Sequence, residues 1–283
     1  MEQAHKILKP LYLLTIIALL LGSCNVERYK FRKKIELAAP VLNSACPLET
    51  PYGSVQRVYI EHDTLCSLIK AGSAYEGLMT APENLLMKTL LFTLDEDTTY
   101  QQLTDILREM ATYQFYLRLR VDVPPAKGAT KDASIWLYAS PQLLDSVFNN
   151  RFTERERALT KVLLQIHLIQ HSLPYQINEQ MTMTDIRYAD GEVQMAYRVV
   201  EDGQINLERA DFRTTAQLFL RQRIWNELIR SRKPEVHEVI KQYYLSGSRL
   251  RYTCTGASSG GQVQVLLTQG DLRMLLSHYG IHL

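Results

Sequence analysis

The chain has 283 residues, of which 46% are hydrophobic and 22% are charged, close to the averages for a soluble globular protein. This composition excludes a disordered tail, a coiled-coil rod, a collagen and a polytopic membrane protein. The 32 basic and 30 acidic residues leave a net charge of only +2, which does not point to nucleic acid as a partner. At about 100 to 200 residues per domain, the length allows one large domain or two small ones.

The N-terminal segment has the three parts of a secretory signal. Residues 1–9 are cationic, residues 11–21 are apolar apart from one threonine, and small residues follow. The apolar run is shorter than the 20 or so residues of a membrane-spanning helix. Two alternatives to the lipoprotein signal described next are an ordinary signal peptide with a coincidental cysteine at residue 24 and an uncleaved anchor helix.

The string Leu21-Gly22-Ser23-Cys24 resembles the lipobox of bacterial lipoproteins. The resemblance implies cleavage after residue 23 and acylation of Cys24. It also implies a cell-envelope location with lipid anchoring, which we expect on the periplasmic face of the outer membrane. Residues 24–36 carry five cations and are expected to form a basic tether, either solvated or held against lipid headgroups.

The remainder of the chain contains an internal repeat. Cys46-Pro47 and Leu173-Pro174 each precede a strand-like run, at an offset of 127 residues. At the same offset, Asp63-Thr64 and Asp190-Gly191 are predicted to form the tips of two hairpins, because Asp-Gly favours a type I′ turn.

Each predicted hairpin is followed by two helices and a second hairpin. A capping box at Thr153–Glu156 opens a further helix that is predicted to end near His171. The predicted helices after the first hairpins cover 83–94, 98–112, 210–230 and 234–244, and the closing hairpins pair 115–123 with 134–139 and 249–254 with 262–267.

We therefore predict an α+β fold built from two tandem copies of a helix–hairpin–helix–helix–hairpin module, with antiparallel sheets covered by helices. Residues 1–23 form the signal peptide, 24–36 the tether, 37–150 the first module and 151–283 the second.

The second module resembles an uncharacterised family of bacterial envelope proteins of about one module each. The resemblance covers 155–276, and 37–147 more faintly. It is carried by Leu173-Pro174, by Met181-Thr182-Met183-Thr184, and by Thr268-Gln269-Gly270-Asp271-Leu272, where Gln269 replaces the proline of the family pattern. It implies no activity and no functional residues.

Three motifs are candidate sites of chemistry, and we assign no catalytic, cofactor-binding or metal-binding residues from them. His167 and His171 have the spacing of a shared metal site but lack a third ligand. Asp95, Glu96 and Asp97 suit helix capping better than calcium. The glycine- and serine-rich stretch 256–261 is expected to be a flexible turn, and no G-x-S-x-G nucleophile motif occurs.

The arginines of the second module are the remaining candidate. They form either a solvated face or a cationic face for an anionic glycan, a lipid headgroup or an acidic partner protein. This set consists of Arg213, Arg221, Arg223, Arg230, Arg232 and Lys233. We expect a non-enzymatic binding or scaffolding protein, with the membrane and another envelope protein or glycan as partners and no nucleic acid. The alternative is an envelope hydrolase with a site between the modules, at His171 or His237.

Two buried positions are also predicted. Cys66 is expected in the core, in the place of Val193 at offset 127. Trp225 is expected to anchor the second core, with Phe212 and Leu218 on the same stripe. After Cys24, the chain has three cysteines, which allow at most one intrachain disulfide: Cys46, Cys66 and Cys254.

Overall fold

The computed structural model describes residues 26–44, 46–50, 53–71, 81–123, 133–149, 151–201, 207 and 210–283. The predicted signal peptide and Cys24 lie outside these residues. Contacts group the chain into two compact units, one formed by Met1–Met79 with Thr93–Asn149 and the other by Thr80–Phe92 with Asn150–Leu283. None of the described helices is both long enough and apolar enough to cross a membrane.

The same order of helices and strands occurs twice, which confirms the predicted α+β duplication. The first set is α1 (26–44), β1 (Leu48–Thr50), β2 (Gly53–Glu61), β3 (Thr64–Ala71), α2 (Glu83–Glu96), α3 (Gln101–Thr112), β4 (Tyr116–Val123), β5 (Ala133–Ala139) and α4 (Pro141–Phe148). The second set is α5 (Glu154–His171), β6 (Tyr175–Asn178), β7 (Met181–Ala189), β8 (Glu192–Val199), α6 (Ala210–Arg230), α7 (Pro234–Leu245), β9 (Arg249–Gly256), β10 (Gln262–Leu267) and α8 (Gln269–His278).

Each unit contains one five-stranded sheet, and the two strand orders correspond: β1-β2-β3-β4-β5 and β6-β7-β8-β9-β10. The strands pair antiparallel except at the centre, where β3 lies parallel to β4 and β8 lies parallel to β9. The prediction of purely antiparallel sheets is wrong at these two pairs. Two helices intervene between the paired strands, and such a crossover brings the chain back in the same direction.

The two sheets correspond residue by residue after one insertion is allowed for. Ile177 is bulged in β6, where β1 has no extra residue, so the offset is 127 before it and 128 after it. The β2–β3 and β7–β8 pairs then have their bulges at equivalent places. The first hairpin tip is consequently His62-Asp63, and the predicted tip at Asp63-Thr64 is wrong by one residue. His62 and Asp190 share a positive φ, 55° and 53°.

The helices bury one face of each sheet. In β4 the buried positions alternate with half-buried or exposed ones, and in the second half of β5 they alternate with exposed ones, as expected for strands with one solvated face. The α5 capping box is present as predicted: the Thr153 hydroxyl accepts from the backbone N–H of Glu156, whose carboxylate accepts from the Thr153 N–H.

The basic stretch expected to be a tether is helical from residue 26 onward. Phe31 and Ile35 of α1 are buried, at 3% and 7% exposure. The Phe31 ring packs against Tyr113 and Phe115, with centroid distances of 5.0 and 5.2 Å. Apolar residues four apart therefore attach this helix to the first unit. Two of its cations add ion pairs to the same unit, Arg28 with Asp63 at 2.6 Å and Lys34 with Glu109 at 2.7 Å.

The predicted apolar stripe of α6 is correct only in part. Ile224 of that stripe is buried, but Phe212 and Leu218 are 44% and 65% exposed. Leu220, which the prediction did not include, is completely buried. Trp225 is half-buried and packs against the edge of the second core, so it does not anchor that core.

Cys66 is buried, at 1% exposure, but on the opposite face of the sheet from the one predicted. With the corrected offset its counterpart is Gln194, not Val193. Its neighbour on β4 is Arg118, whose guanidinium lies 3.2 Å from the Cys66 sulfur. The thiol is thus covered by an arginine rather than by the apolar core. All three described cysteines are free thiols, and burial raises the pKa of the Cys254 thiol to about 12.

Candidate functional site

A pocket of about 610 Å³ opens in the second unit, between the turn that joins α6 to α7 and the end of α8. Its described lining has two arginines, two histidines and one tyrosine, and no carboxylate: Ile229, Arg230, Ser231, Arg232, His237, His278 and Tyr279.

One wall of the pocket is held rigidly. The His237 ring stacks on the Tyr279 ring, with centroids 3.8 Å apart and planes 18° apart. The His237 Nε2 atom lies 2.8 Å from the carbonyl oxygen of Ser231, and the Tyr279 hydroxyl donates to the carbonyl oxygen of Leu228 at 2.7 Å. Burial raises the pKa of the Tyr279 hydroxyl above its usual range. These contacts tie α7 and α8 to the end of α6.

The other wall is cationic. Arg230 ends α6 and Arg232 follows it in the turn, and both side chains are exposed. Neither guanidinium forms an ion pair within the part of the chain that the structure describes. Pro234 opens α7 at its first position, where no backbone N–H is needed, and thereby fixes the length of the turn.

The arginine set predicted from the sequence divides into two groups. Arg213 donates to the carbonyl oxygen of Leu207, and Arg221 pairs with Asp271 at 2.9 Å. Arg223 donates to the side chain of Gln180 and lies near Glu227. These three arginines are used by the fold, whereas Arg230 and Arg232, with Lys233 beside them, face the pocket or solvent.

The acidic residues considered for calcium lie at the corresponding turn of the first unit, between α2 and α3. Asp95 is 9% exposed in its side chain and pairs with Arg108 at 3.5 Å. The Asp97 carboxylate accepts from the backbone N–H of Thr99. The Thr99 hydroxyl contributes most to lowering the pKa of Asp97, and the backbone N–H lowers it further. The carboxylates here therefore have structural roles.

The histidines considered for metal binding or hydrolysis lie in different parts of the second unit. His167 and His171 both lie on α5, and among the described residues no three metal-binding side chains come together. His237, a candidate for the hydrolase alternative, contacts a carbonyl oxygen and an aromatic ring rather than a carboxylate.

The glycine- and serine-rich stretch 256–261 is a structured turn that holds a carboxylate. The Glu201 side chain accepts from the backbone N–H groups of Ser258 and Ser259, from the Ser259 hydroxyl and from the Leu207 N–H. The Ser259 hydroxyl contributes most to lowering the pKa of Glu201. A Cβ atom at Gly261 would lie 2.0 Å from the Leu207 carbonyl oxygen, so glycine is required there.

The outer face of the first sheet carries a feature that the sequence analysis missed. Trp136 and Tyr138 on β5 are 44% and 53% exposed. The guanidinium groups of Arg118 and Arg120 lie 5.4 and 5.8 Å from the Trp136 ring, and Tyr138 stacks on Tyr116. Successive side chains of a strand point to opposite faces, so the burial of Ile135 and Leu137 places the two rings on the outer face. The sequence of β5 itself is apolar at all four of these positions and does not mark the outer face.

Comparisons with known proteins give little further information. No family model matches the chain, and no curated protein matches it. One similar solved structure is that of a protein from Pseudomonas aeruginosa described as a candidate secreted protein. It has 14% sequence identity and a TM-score of 0.29, and the match covers 42% of this chain and 94% of that one. So low a TM-score supports no conclusion about fold or function.

Proposed function

We propose that the chain is a lipid-anchored cell-envelope protein that binds its ligand without transforming it, and that the α6–α7 pocket of the second unit holds an anionic group. The anchor would be an acyl group on Cys24, and the proposal rests there on the lipobox-like string alone. Binding is supported by one observation: Arg230 and Arg232, which form no ion pairs among the described residues, border a pocket without carboxylates.

The chemistry of the lining favours a phosphate or carboxylate group on a partly apolar body. A guanidinium group presents a planar set of donors that can bind two oxygens of such an anion at once. The stacked rings of His237 and Tyr279 offer an apolar surface beside the cations. A free phosphate and the headgroup of a lipid share this chemistry.

The anchor is tested by fatty-acid labelling of cells that express the wild type or Cys24→Ala. We expect label in the wild type and none in the variant, because acylation requires the thiol. An unlabelled wild-type protein would contradict the anchor and leave the pocket untouched.

The pocket is tested by calorimetric titration of the full chain with inorganic phosphate and, separately, with glycerol phosphate. We expect Arg230→Ala and Arg232→Ala each to weaken binding severalfold, because each removes one charge-assisted contact. Arg273→Ala is the matched control, since Arg273 is an exposed cation of α8 outside the lining. Tighter binding of glycerol phosphate would indicate a headgroup. Equal loss of binding in all three variants would mean that the net charge of the protein, and not the pocket, determines phosphate binding. That result would contradict the proposed pocket.

A further inference from the structure

The last strand of each sheet, β5 or β10, lies at a sheet edge. The two units differ in whether other residues contact that edge. In the second unit, the Gln217 side chain donates to the carbonyl oxygen of Gln264 at 2.6 Å, and Arg221 donates to that of Leu266 at 3.3 Å. Two side chains of α6 thus donate hydrogen bonds to the outward carbonyl oxygens of β10. Covering a sheet edge with a helix is a recognised way of protecting it.

The corresponding edge of β5 has no such cover from the described residues. The strand registers make Trp136 equivalent to Gln264 and Tyr138 equivalent to Leu266, so the outward backbone groups of β5 belong to Trp136 and Tyr138. Among the described residues, no hydrogen bond reaches these groups. Within the part of the chain that the structure describes, the first unit therefore presents an unpaired strand edge.

The composition of β5 also lacks the usual protections. Its seven residues, Ala-Ser-Ile-Trp-Leu-Tyr-Ala, include no charge and no proline, and its pairing with β4 has no bulge. Natural edge strands normally use such features to prevent association with another strand.

We propose that β5 is the edge through which two copies of this chain associate, antiparallel and about a two-fold axis. A second copy is the occupant that this strand suits, because an uncharged edge meets no like charge when it faces itself. A two-fold interface also requires one self-complementary patch, which a single strand supplies. This inference depends neither on the lipid anchor nor on the pocket.

Full pairing of Ala133–Ala139 with itself fixes the register, because the centre of the strand is Trp136. Trp136 then lies opposite Trp136 of the second copy. Because the backbone groups of Trp136 point outward, these two residues would form a hydrogen-bonded pair. Aromatic pairs at directly opposite positions are favourable between antiparallel strands. The two sheets would join into one of ten strands.

Disulfide trapping tests the register directly. In a hydrogen-bonded antiparallel pair the Cα atoms are about 5.5 Å apart, within the disulfide range of about 4.4 to 6.8 Å. We therefore expect full-length Trp136→Cys to form a covalent dimer under mild oxidation. The wild type controls for the natural thiols, and Gln264→Cys is the matched control on the covered edge. No more dimer with Trp136→Cys than with Gln264→Cys would overturn the proposal.

Sedimentation of the full chain in detergent gives a second, independent measurement. We expect a dimer for the wild type and for Trp136→Tyr, and a monomer for Trp136→Lys, which places like charges opposite each other. Gln264→Lys should leave the dimer unchanged. A monomeric wild type would overturn the proposal and would leave the edge to an extended segment of another protein. If Trp136→Lys fails to fold, the wild-type state and the disulfide result still decide.

Discussion

The turns between the two crossover helices occupy the same place in the two units but carry opposite charge. Asp95 and Asp97 stand at the first turn, and Arg230 and Arg232 stand at the second. The fold uses the acids, one in an ion pair with Arg108 and the other as a helix cap. The arginines have no ion pair in the described part of the chain. Charge at a turn therefore makes that turn a candidate for ligand binding only where the fold leaves the charge unused.

The same position in α3 and α7 shows what the two turns share. Thr104 and His237 are each the fourth residue of their helix. The Thr104 hydroxyl donates to the carbonyl oxygen of Leu94, and the His237 ring contacts that of Ser231. In each unit, a polar side chain of the second crossover helix thus contacts a backbone carbonyl at the end of the first crossover helix. In the second unit that side chain is a histidine ring, which also lines the pocket.

The largest expected effect tests whether the two units share one scaffold. Leu144 in α4 and Leu272 in α8 are equivalent and completely buried. We expect Leu144→Ala and Leu272→Ala each to lower the free energy of unfolding of its own unit by about 2 to 5 kcal/mol, through lost burial and a cavity. Chemical denaturation followed by hydrogen exchange would separate the units. A negligible effect at either position would break the equivalence.

A smaller effect concerns a difference between the sheets. Glu192 opens β8 and is buried beside Arg251 and Arg249, whereas Thr64 stands at the equivalent place in β3. Hydrogen bonds from Arg251 lower the pKa of the Glu192 carboxyl despite its burial. Its stabilisation is therefore present above the unfolded pKa of about 4.3 and is lost as the pH falls through the lower folded-state value.

We accordingly expect Glu192→Gln to reduce the stability of the second unit near neutral pH by about 1.5 to 3 kcal/mol. The variant should also lose less stability than the wild type between pH 5 and acid conditions. Unfolding curves across this pH range measure both effects, with Thr64→Val of the first unit as the control. An unchanged acid-side slope would show that Arg251 does not stabilise the ionised carboxyl.

The smallest expected effects on stability concern the charged residues of the two turns, and they should differ between the turns. Asp95→Asn should cost about 1 kcal/mol, because the half-buried ion pair with Arg108 is replaced by a neutral contact. Arg230→Ala should change stability by less than about 0.5 kcal/mol, as is usual for an exposed side chain without partners. Thermal unfolding of both variants tests this contrast. Equal destabilisation would mean that the basic turn is structural too.

Local signals made much of the fold predictable from the sequence. The Thr153 capping box and the periodicity after it placed α5 correctly, and the α6 bounds agree with the structure at both ends. The parallel central pairs depend on contacts between distant strands, which no local pattern encodes. The bulge at Ile177 shifted the offset by one residue and so moved Cys66 to the wrong face. In α1, the high density of cations obscured the apolar spacing.

The site was predictable only as a set of candidates. The sequence identified Arg221 and Arg230 as members of one cationic group, but their roles differ because Arg221 meets Asp271 from a distant part of the chain. Partners of this kind are a property of the tertiary structure. The stack of His237 on Tyr279 likewise joins residues that are 42 positions apart in the sequence. No sequence motif predicts this contact.

The most direct test of the central claim compares both turns in one sample. Amide chemical shifts of the full chain are followed by NMR while inorganic phosphate is added. The account predicts saturable shifts at Ser231–His237 and none at Asp95–Tyr100. The basic turn has two arginines without an ion pair among the described residues, whereas the other turn is acidic. Equal shifts at both turns, or no saturable shift at Ser231–His237, would contradict it.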